Sequence, residues 1–192
     1  MRKVVLGLHA SLDGMVEGPK GVMDIGWVSY DENLEKFAQQ IFSTVDTILW
    51  GRATFVMMQQ YWPTVPSNPT ANEFEKSHAA WLDQTQKIVF SNTLTETDWV
   101  NSSIVNGDLT EILTNLKQQP GQDMVVMGSP RLAHQLMRLG LVDEIKMTIS
   151  PVVVGGGLPM FKDLTDMMKL KLVQSQTYSS GAISLIYEVV RS

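Results

Sequence analysis

Two segments of this chain share one pattern: an apolar run, a glycine, and then a helix-forming segment. In residues 47–55 the run ends at Gly51 and Arg52, and in residues 123–131 it ends at Gly128 and Ser129. A strand that passes through a glycine into a helix leaves the first backbone N–H groups of that helix without intrahelical partners, at the positive end of its dipole. Such a turn binds anions. Two of these turns predict a ligand with more than one phosphate, and the Arg52 guanidinium suits phosphate binding.

Strand and helix patterns alternate along most of the chain. Alternation of this kind indicates an α/β fold with a mostly parallel sheet and helices on both faces. We expect strands at residues 4–10, 45–50, 87–91, 100–105, 123–127 and 143–150. Helices are expected from about residue 32, where Ser29 and Glu32 can form a capping box, and at residues 53–60, 72–83, 109–119 and 130–139.

The remaining segments are predicted as loops and a hairpin. Residues 14–30 are rich in glycine and residues 61–69 contain three prolines, so both are expected to be irregular. Residues 169–178 and 182–190 alternate as strands around the turn 179–181, which predicts a C-terminal antiparallel hairpin. Gly155, Gly156 and Gly157 lie between two strands, where a bend, or a close approach to a substrate or a second copy, would need them.

Composition narrows the class of protein. The 192 residues, 44% of them hydrophobic, are enough for a full core and favour one domain over residues 1–192. The net charge of −5 argues against a nucleic-acid or membrane-surface protein. There is no cysteine, no apolar segment long enough for a membrane span and no signal-peptide core, so we expect a cytoplasmic protein.

The common catalytic motifs are absent from the sequence. It contains neither the dinucleotide-binding glycine fingerprint, nor a P-loop, nor a nucleophile elbow. His9, His78 and His134 are too far apart to suggest a metal site, so no metal is expected, and each is interpreted as an ordinary core or surface histidine.

Several residues could serve a heterocyclic substrate. Asp31, Glu32 and Glu35 begin the first helix, where they either complement the helix dipole or supply a carboxylate that binds a heterocycle and delivers a proton. Asp13 competes for that role, although it can equally be a turn residue. Trp27 and Trp50 can stack on a ring or simply fill the core.

Five motifs in the same order resemble the dihydrofolate reductase-like superfamily. They are residues 11–14, 50–55, 87–91, 124–129 and 151–161. Within that superfamily the chain is most similar to the C-terminal reductase domain of the bifunctional riboflavin-biosynthesis deaminase/reductase (RibD) and its stand-alone relatives. The resemblance extends over essentially the whole chain.

This resemblance implies a three-layer dihydrofolate reductase-like fold with a mixed, mostly parallel sheet of about eight strands, and a homodimer. It also implies an NADPH-dependent reductase resembling dihydrofolate reductase or 5-amino-6-(5-phosphoribosylamino)uracil reductase. Gly51, Arg52 and Thr54 match one phosphate-binding turn, with Arg52 the candidate for the 2′-phosphate. The other matching positions are Ser91 and Asn92 beside the adenosine ribose, Gly128, Ser129, Arg131 and Leu132 in the second turn, and His9, Ala10 and Ser11 along the nicotinamide.

The chain departs from the family pattern at two places. Pro130 offers no backbone N–H to a phosphate, so Ser129 is expected to replace that donor. No residue aligns unambiguously with the pterin-binding carboxylate on the first helix of dihydrofolate reductase, for which Asp31 and Glu32 are the nearest candidates.

The leading hypothesis is an NADPH-dependent reductase that transfers a hydride to a small heterocyclic, pterin- or aminopyrimidine-like, or carbonyl substrate. Two alternatives stay open at this stage. One is a dinucleotide-binding sensor without catalysis, and the other is a dimeric interaction protein whose cofactor cleft is vestigial.

Overall fold

The computed structural model describes residues 1–29 and 31–191. Ten strands and five α-helices are present in this part of the chain, together with one 3₁₀ helix at Trp62–Ser67. The strands are β1 Val4–Ser11, β2 Met15–Glu17, β3 Val45–Gly51, β4 Gln86–Phe90, β5 Ser102–Val105, β6 Asp123–Met127, β7 Glu144–Ser150, β8 Leu158–Pro159, β9 Lys169–Thr177 and β10 Ile183–Val190. The helices are α1 Glu32–Phe42, α2 Arg52–Tyr61, α3 Glu73–Gln84, α4 Leu109–Gln118 and α5 Pro130–Arg138.

Eight strands form one mixed sheet in the order β5-β4-β3-β6-β1-β7-β10-β9. The first six of that order are parallel, and β10 runs antiparallel to both β7 and β9. The turn of the final hairpin is closed by a hydrogen bond from the Gly181 N–H to the Tyr178 carbonyl. The predicted α/β class, the eight-stranded mostly parallel sheet and the C-terminal antiparallel hairpin are therefore confirmed.

The sheet is covered on both faces because successive residues of its strands point in opposite directions. On β6, Met124 and Val126 pack with Leu113 of α4 and Leu136 of α5. Val125 belongs to the opposite core. That second core takes Leu34, Phe37 and Ile41 from α1, Phe55 from α2 and Leu82 from α3. Three layers result, with α4 and α5 on one face and α1, α2 and α3 on the other.

The order in which the chain adds strands to the sheet reverses between the neighbouring strands β3 and β6. From β3 it passes through α2 to β4 on one side, whereas from β6 it passes through α5 to β7 on the other. The first turns of α2 and α5 therefore start from neighbouring strand ends and diverge. In open α/β sheets a crevice forms at such a point, outside the carboxyl ends of the strands, and ligands bind there.

Three local predictions were wrong. Helix α1 is capped by Asp31, whose Oδ1 accepts the backbone N–H of Asn33 and of Leu34 at 3.0 and 2.9 Å, so no box forms with Ser29. The Ser29 N–H instead donates to the Ser150 hydroxyl. The expected loop 14–30 contains β2, which pairs with β8 in a separate two-stranded sheet, and the expected loop 61–69 contains the 3₁₀ helix.

Candidate functional site

The two glycine turns lie side by side and are hydrogen-bonded to each other. The Gly51 N–H donates to the Ser129 Oγ at 2.9 Å, and the Thr54 hydroxyl donates to the Gly128 carbonyl at 3.2 Å. One step back along the strands, the Trp50 indole N–H donates to the Met127 carbonyl at 2.7 Å. Three hydrogen bonds thus join the end of β3 to the end of β6 and fix the spacing of the two turns.

The helices that begin at these turns differ from the other three at their N-termini. Helices α1, α3 and α4 are capped by the side chains of Asp31, Asn72 and Asp108. Neither Gly51 at the start of α2 nor Ser129 at the start of α5 caps its own helix with a side-chain hydrogen bond. The first-turn N–H groups of these two helices are therefore open to an anion. Pro130 occupies the first helical position of α5, where a missing N–H costs the helix nothing.

A polar cavity of about 320 Å³ opens in front of both uncapped helices. We call it the arginine cavity, after Arg52 and Arg131 in its wall. Most of the cofactor-binding residues predicted from the sequence line it, at the ends of the three neighbouring strands β4, β3 and β6: Gly51, Arg52, Thr54, Ser91, Asn92, Ser129, Arg131 and Leu132. The structure brings these residues together, and their role in cofactor binding stays a prediction.

The two arginines of this cavity are held differently. Arg52 is exposed, and its guanidinium has no hydrogen-bond or ion-pair partner within residues 1–29 and 31–191. Arg131 forms an ion pair at 3.0 Å with Glu17, whose side chain is only 5% exposed. Arg52 is thus free to bind a phosphate, whereas Arg131 also compensates the charge of a buried carboxylate.

A second cavity, of about 420 Å³, adjoins the first. Pro130 lines both cavities, and the wall of the second continues from there through Met127 and Gly128 to Gly7, Leu8 and His9 of β1. Its far end is built from Phe42 of α1, Tyr61 and Trp62, and Phe74 and His78 of α3. We call it the aromatic cavity.

The predicted nicotinamide segment lies only partly at this cavity. His9 lines it, and its Nδ1 lies 2.5 Å from the Thr148 hydroxyl oxygen. Burial lowers the pKa of His9 to about 4, so the ring is neutral at neutral pH. Ala10 and Ser11 are buried and do not line the cavity. Ala10 belongs to the core that also contains Leu132 and Leu136 of α5.

None of the three predicted proton donors lines the aromatic cavity. Asp31 is occupied as the cap of α1, and Glu32 is exposed. Asp13 accepts hydrogen bonds from the Ser11 hydroxyl and from the backbone N–H groups of Gly155 and Val154. These bonds lower the pKa of Asp13 to about 2, and the bond from the Ser11 hydroxyl contributes most. The Asp13 carboxyl group therefore carries no proton at neutral pH. Asp13 anchors the glycine loop and is unsuited to proton donation.

Glu35 lies one turn further along α1, and its carboxylate side chain lines the aromatic cavity. Its side chain is half-buried and has no hydrogen-bond or ion-pair partner in the described chain. Ala38 and Phe42, three and seven residues further on, line the cavity as well, so this face of α1 looks onto it. The sequence identified Glu35 as one of several acidic residues but gave no means of choosing it.

The two tryptophans predicted to stack on a substrate line neither cavity. Trp50 is fully buried, in contact with Trp99 and Phe55. Trp27 is half-buried, and its indole N–H donates to the Asp24 carbonyl. The prediction was wrong for Trp50, whose ring and N–H group are both satisfied inside the protein. The role of Trp27 stays a prediction.

His78 and the rings around it were missed as site residues. His78 was interpreted as an ordinary histidine, yet it lines the aromatic cavity beside Trp62, Phe42 and Phe74. Phe74 and His78 stand four residues apart on α3, a spacing that places both on one helix face. That spacing was the available signal.

No helix of the described residues is both long and apolar enough to cross a membrane.

The family model of the RibD C-terminal domain matches residues 2–184. The Bacillus subtilis (strain 168) protein YyaP, which is uncharacterized, is 36% identical over 187 residues, covering 97% of this chain and 94% of YyaP.

Two solved structures show the same fold. A Shewanella sp. PV-4 protein named for riboflavin biosynthesis superposes with a TM-score of 0.77 at 20% identity, covering 98% of this chain and 99% of that one. The dihydrofolate reductase of Enterococcus faecalis, in complex with NADP(H) and RAB-propyl, superposes with a TM-score of 0.63 at 16% identity, covering 97% and 96%. The dihydrofolate reductase-like architecture is thereby confirmed.

Proposed function

The chain belongs to the RibD C-terminal domain family, and from this premise we propose that it is an NADPH-dependent reductase of a small heterocyclic or carbonyl compound. One observation carries the proposal: a polar cavity with two uncapped helix N-termini and an aromatic cavity meet at Pro130. Such a pair of cavities suits a long phosphorylated cofactor whose reactive end reaches a flat, apolar substrate.

The residues of the arginine cavity fit NADPH. The first turns of α2 and α5 offer unpaired N–H groups to the pyrophosphate, and Ser129, whose oxygen accepts the Gly51 N–H, keeps its own hydroxyl hydrogen to donate. Arg52 is free to bind the 2′-phosphate. Ser91 and Asn92 lie at the end of the next strand for the ribose.

When bound, NADPH supplies the hydride; the protein positions and shields the reactants. Pro130 lines both cavities, and Gly128 and the neutral ring of His9 line the aromatic cavity with it. The aromatic side chains exclude water from the substrate side. Glu35 is the group that we propose to accept a hydrogen bond from the substrate through its carboxylate oxygens and to relay a proton from solvent to it, in the place first assigned to Asp31, Glu32 or Asp13.

A titration with NADPH and, in parallel, with NADH tests the cofactor part of this proposal. Tryptophan fluorescence follows binding, and micromolar affinity with a preference for NADPH is expected. Oxidation of NADPH against a panel of pterins, aminopyrimidines and quinones then tests catalysis. Failure to bind either dinucleotide would overturn the proposal.

A dinucleotide-binding sensor without catalysis is the second candidate, because none of the three predicted proton donors lines the aromatic cavity. Tight NADPH binding combined with no oxidation against any substrate of the panel would favour it. A dimeric interaction protein with a vestigial cleft would bind neither dinucleotide.

We also propose a homodimer in the cytoplasm. The edge strand β9 supports self-association, since Leu172 and Val173 are each about half exposed along a sheet edge that pairs with no further strand of the described residues. Light scattering of the purified protein would give the mass of a dimer if this holds and that of one chain if it does not.

A further inference from the structure

The two cavities have opposite charges in their walls. Arg52 and Arg131 line the arginine cavity, and no Asp or Glu of the described residues does. Glu17, Glu35 and Glu75 line the aromatic cavity, where the described lining contains no Lys or Arg. Charges interact strongly near low-dielectric walls, so a phosphate group is attracted to the first cavity and repelled from the second.

Two of the three carboxylates already have partners. Glu17 is paired with Arg131, and Glu75 accepts hydrogen bonds from the Tyr61 hydroxyl and the Asn72 N–H. Glu35 has no partner in the described chain, so its carboxyl oxygens are available to whatever enters the cavity. A ligand group beside Glu35 must therefore be a hydrogen-bond donor or a cation.

Aromatic rings surround His78 at the far end of the same cavity. The Trp62 ring meets the imidazole edge-on at 4.4 Å between centroids, Phe42 lies at 4.7 Å, and Phe74 is nearly parallel to it at 5.9 Å. All three rings also line the cavity. Walls of this kind favour a flat ring over a branched, flexible molecule.

His78 carries a buried polar atom without a partner. The residue is 7% exposed, and its Nδ1 has no hydrogen-bond partner in the described chain. Burial lowers the pKa of His78 to about 4, so the neutral ring adds no positive charge to this wall. Buried polar groups are almost always hydrogen-bonded, so a histidine that lines a cavity and whose ring has no hydrogen-bond partner in the described chain points to a ligand.

We infer that the aromatic cavity binds a flat heteroaromatic ring that is neutral or cationic and carries no phosphate, and that His78 selects it by hydrogen-bonding its polar edge. This inference rests on the proposed function and names the substrate class of that same site. It differs from the phosphoribosylated aminopyrimidine that the resemblance to riboflavin-pathway reductases implies.

Three ligands with one ring system test the charge preference. We would measure the affinity of the full chain for 6-hydroxymethylpterin, its phosphate monoester and 6-aminomethylpterin by isothermal titration calorimetry. Adenosine 2′,5′-bisphosphate would be present throughout to fill the arginine cavity. The phosphate ester is expected to bind at least about tenfold more weakly than the alcohol, and the amine at least as tightly as the alcohol.

Variants separate the two parts of the inference. Glu35→Gln is expected to reduce the difference in affinity between the ester and the alcohol several-fold. Glu32→Gln, on the exposed side of α1, should leave that difference unchanged. His78→Phe keeps a flat ring at this position. It is expected to weaken binding of the alcohol about tenfold without changing the ratio of the affinities for ester and alcohol. His78→Asn restores a polar group at that position and guards against a folding defect in the first variant.

Equal affinities for the ester and the alcohol, or no binding of either, would overturn the inference, as would unaltered affinity in both His78 variants. Failure of the proposed function looks different, because the pterin alcohol would then bind with the expected preference although NADPH is neither bound nor oxidised.

Discussion

The hydroxyl oxygen of Ser129 accepts the backbone N–H of Gly51 at 2.9 Å and so ties the start of α5 to the start of α2. Ser129 is 3% exposed, and a Cβ placed on Gly51 would stand 3.3 Å from its oxygen. The serine that follows the second glycine thus determines how closely the two turns approach. Its hydroxyl hydrogen is still available to a ligand in the arginine cavity.

Ser129→Ala is expected to weaken NADPH binding about tenfold and to lower the free energy of unfolding by about 1 kcal/mol, because it removes this bond and a ligand donor together. Fluorescence titration and urea unfolding measure the two effects. Ser103→Ala, on the exposed side of the edge strand β5, is the control. Unchanged affinity in Ser129→Ala would mean that the bridge serves folding alone.

Arg52→Ala is expected to weaken NADPH roughly 10- to 150-fold, since a charge-assisted bond to phosphate contributes about 1.5–3 kcal/mol. NADH lacks the 2′-phosphate and should bind with little change. Arg138→Ala, outside both cavities, is the matched control. Equal losses for NADPH and NADH would place Arg52 at the pyrophosphate instead.

The turns could be predicted from the sequence because their signal is local. An apolar run, a glycine and a helical pattern lie within nine residues, and the fold then brings both copies to neighbouring strands. The helix start at Asp31 could not be predicted in the same way. Ser29 and Glu32 have the spacing of a capping box, but the Ser29 N–H is drawn to Ser150, 121 residues further on, and Asp31 caps the helix.

The substrate side of the site depends on packing between distant elements. Glu32 and Glu35 look equivalent in the sequence, and what separates them is that the face of α1 carrying Glu35, Ala38 and Phe42 looks onto the aromatic cavity. That cavity exists because α1, α3 and the 3₁₀ helix meet there. No spacing rule within α1 can reveal this, and the same holds for the burial of Trp50.

Glu35→Gln is expected to lower kcat about 100-fold or more while leaving the affinity for NADPH unchanged, because general acid catalysis contributes on that scale. Glu32→Gln and Asp13→Asn are the controls for the other carboxylates. Steady-state kinetics with the best substrate of the panel measure the effect. A loss in Glu32→Gln with none in Glu35→Gln would restore the first assignment.

Acid should destabilise the protein through His78. Burial lowers the pKa of His78 from 6.5 to about 4, so the unfolded chain binds a proton at a pH where the folded protein does not. The free energy of unfolding is therefore unaffected by protonation of His78 above about pH 6.5. It falls as the pH is lowered towards 4, by about 3 kcal/mol in total. His9 acts in the same direction.

His78→Phe removes this contribution, so the free energy of unfolding of the variant should change less between about pH 7 and pH 4.5 than that of the wild type. Urea unfolding at the two values measures the difference, and the carboxylates common to both proteins cancel in the comparison. Identical pH dependence in the two proteins would show that His78 takes up its proton in the folded state without penalty.

Gly157→Ala is expected to be the most damaging substitution in the glycine loop. Gly157 has a φ of +124°, and a Cβ placed on it would lie 2.0 Å from the Glu17 carbonyl oxygen. The chain must shift there, and Glu17, which pairs with Arg131, moves with it. We expect a loss of several kcal/mol of stability together with weaker NADPH binding.

Gly156→Ala is the matched control, since a Cβ at that position meets no atom within 4 Å and its φ is not positive. It should change stability by less than about 1 kcal/mol. Thermal unfolding of both variants, followed by NADPH titration of the folded fraction, separates the effects. Equal effects at the two positions would mean that the loop needs flexibility as a whole; an effect confined to Gly157 would mean that it needs close contact with β2.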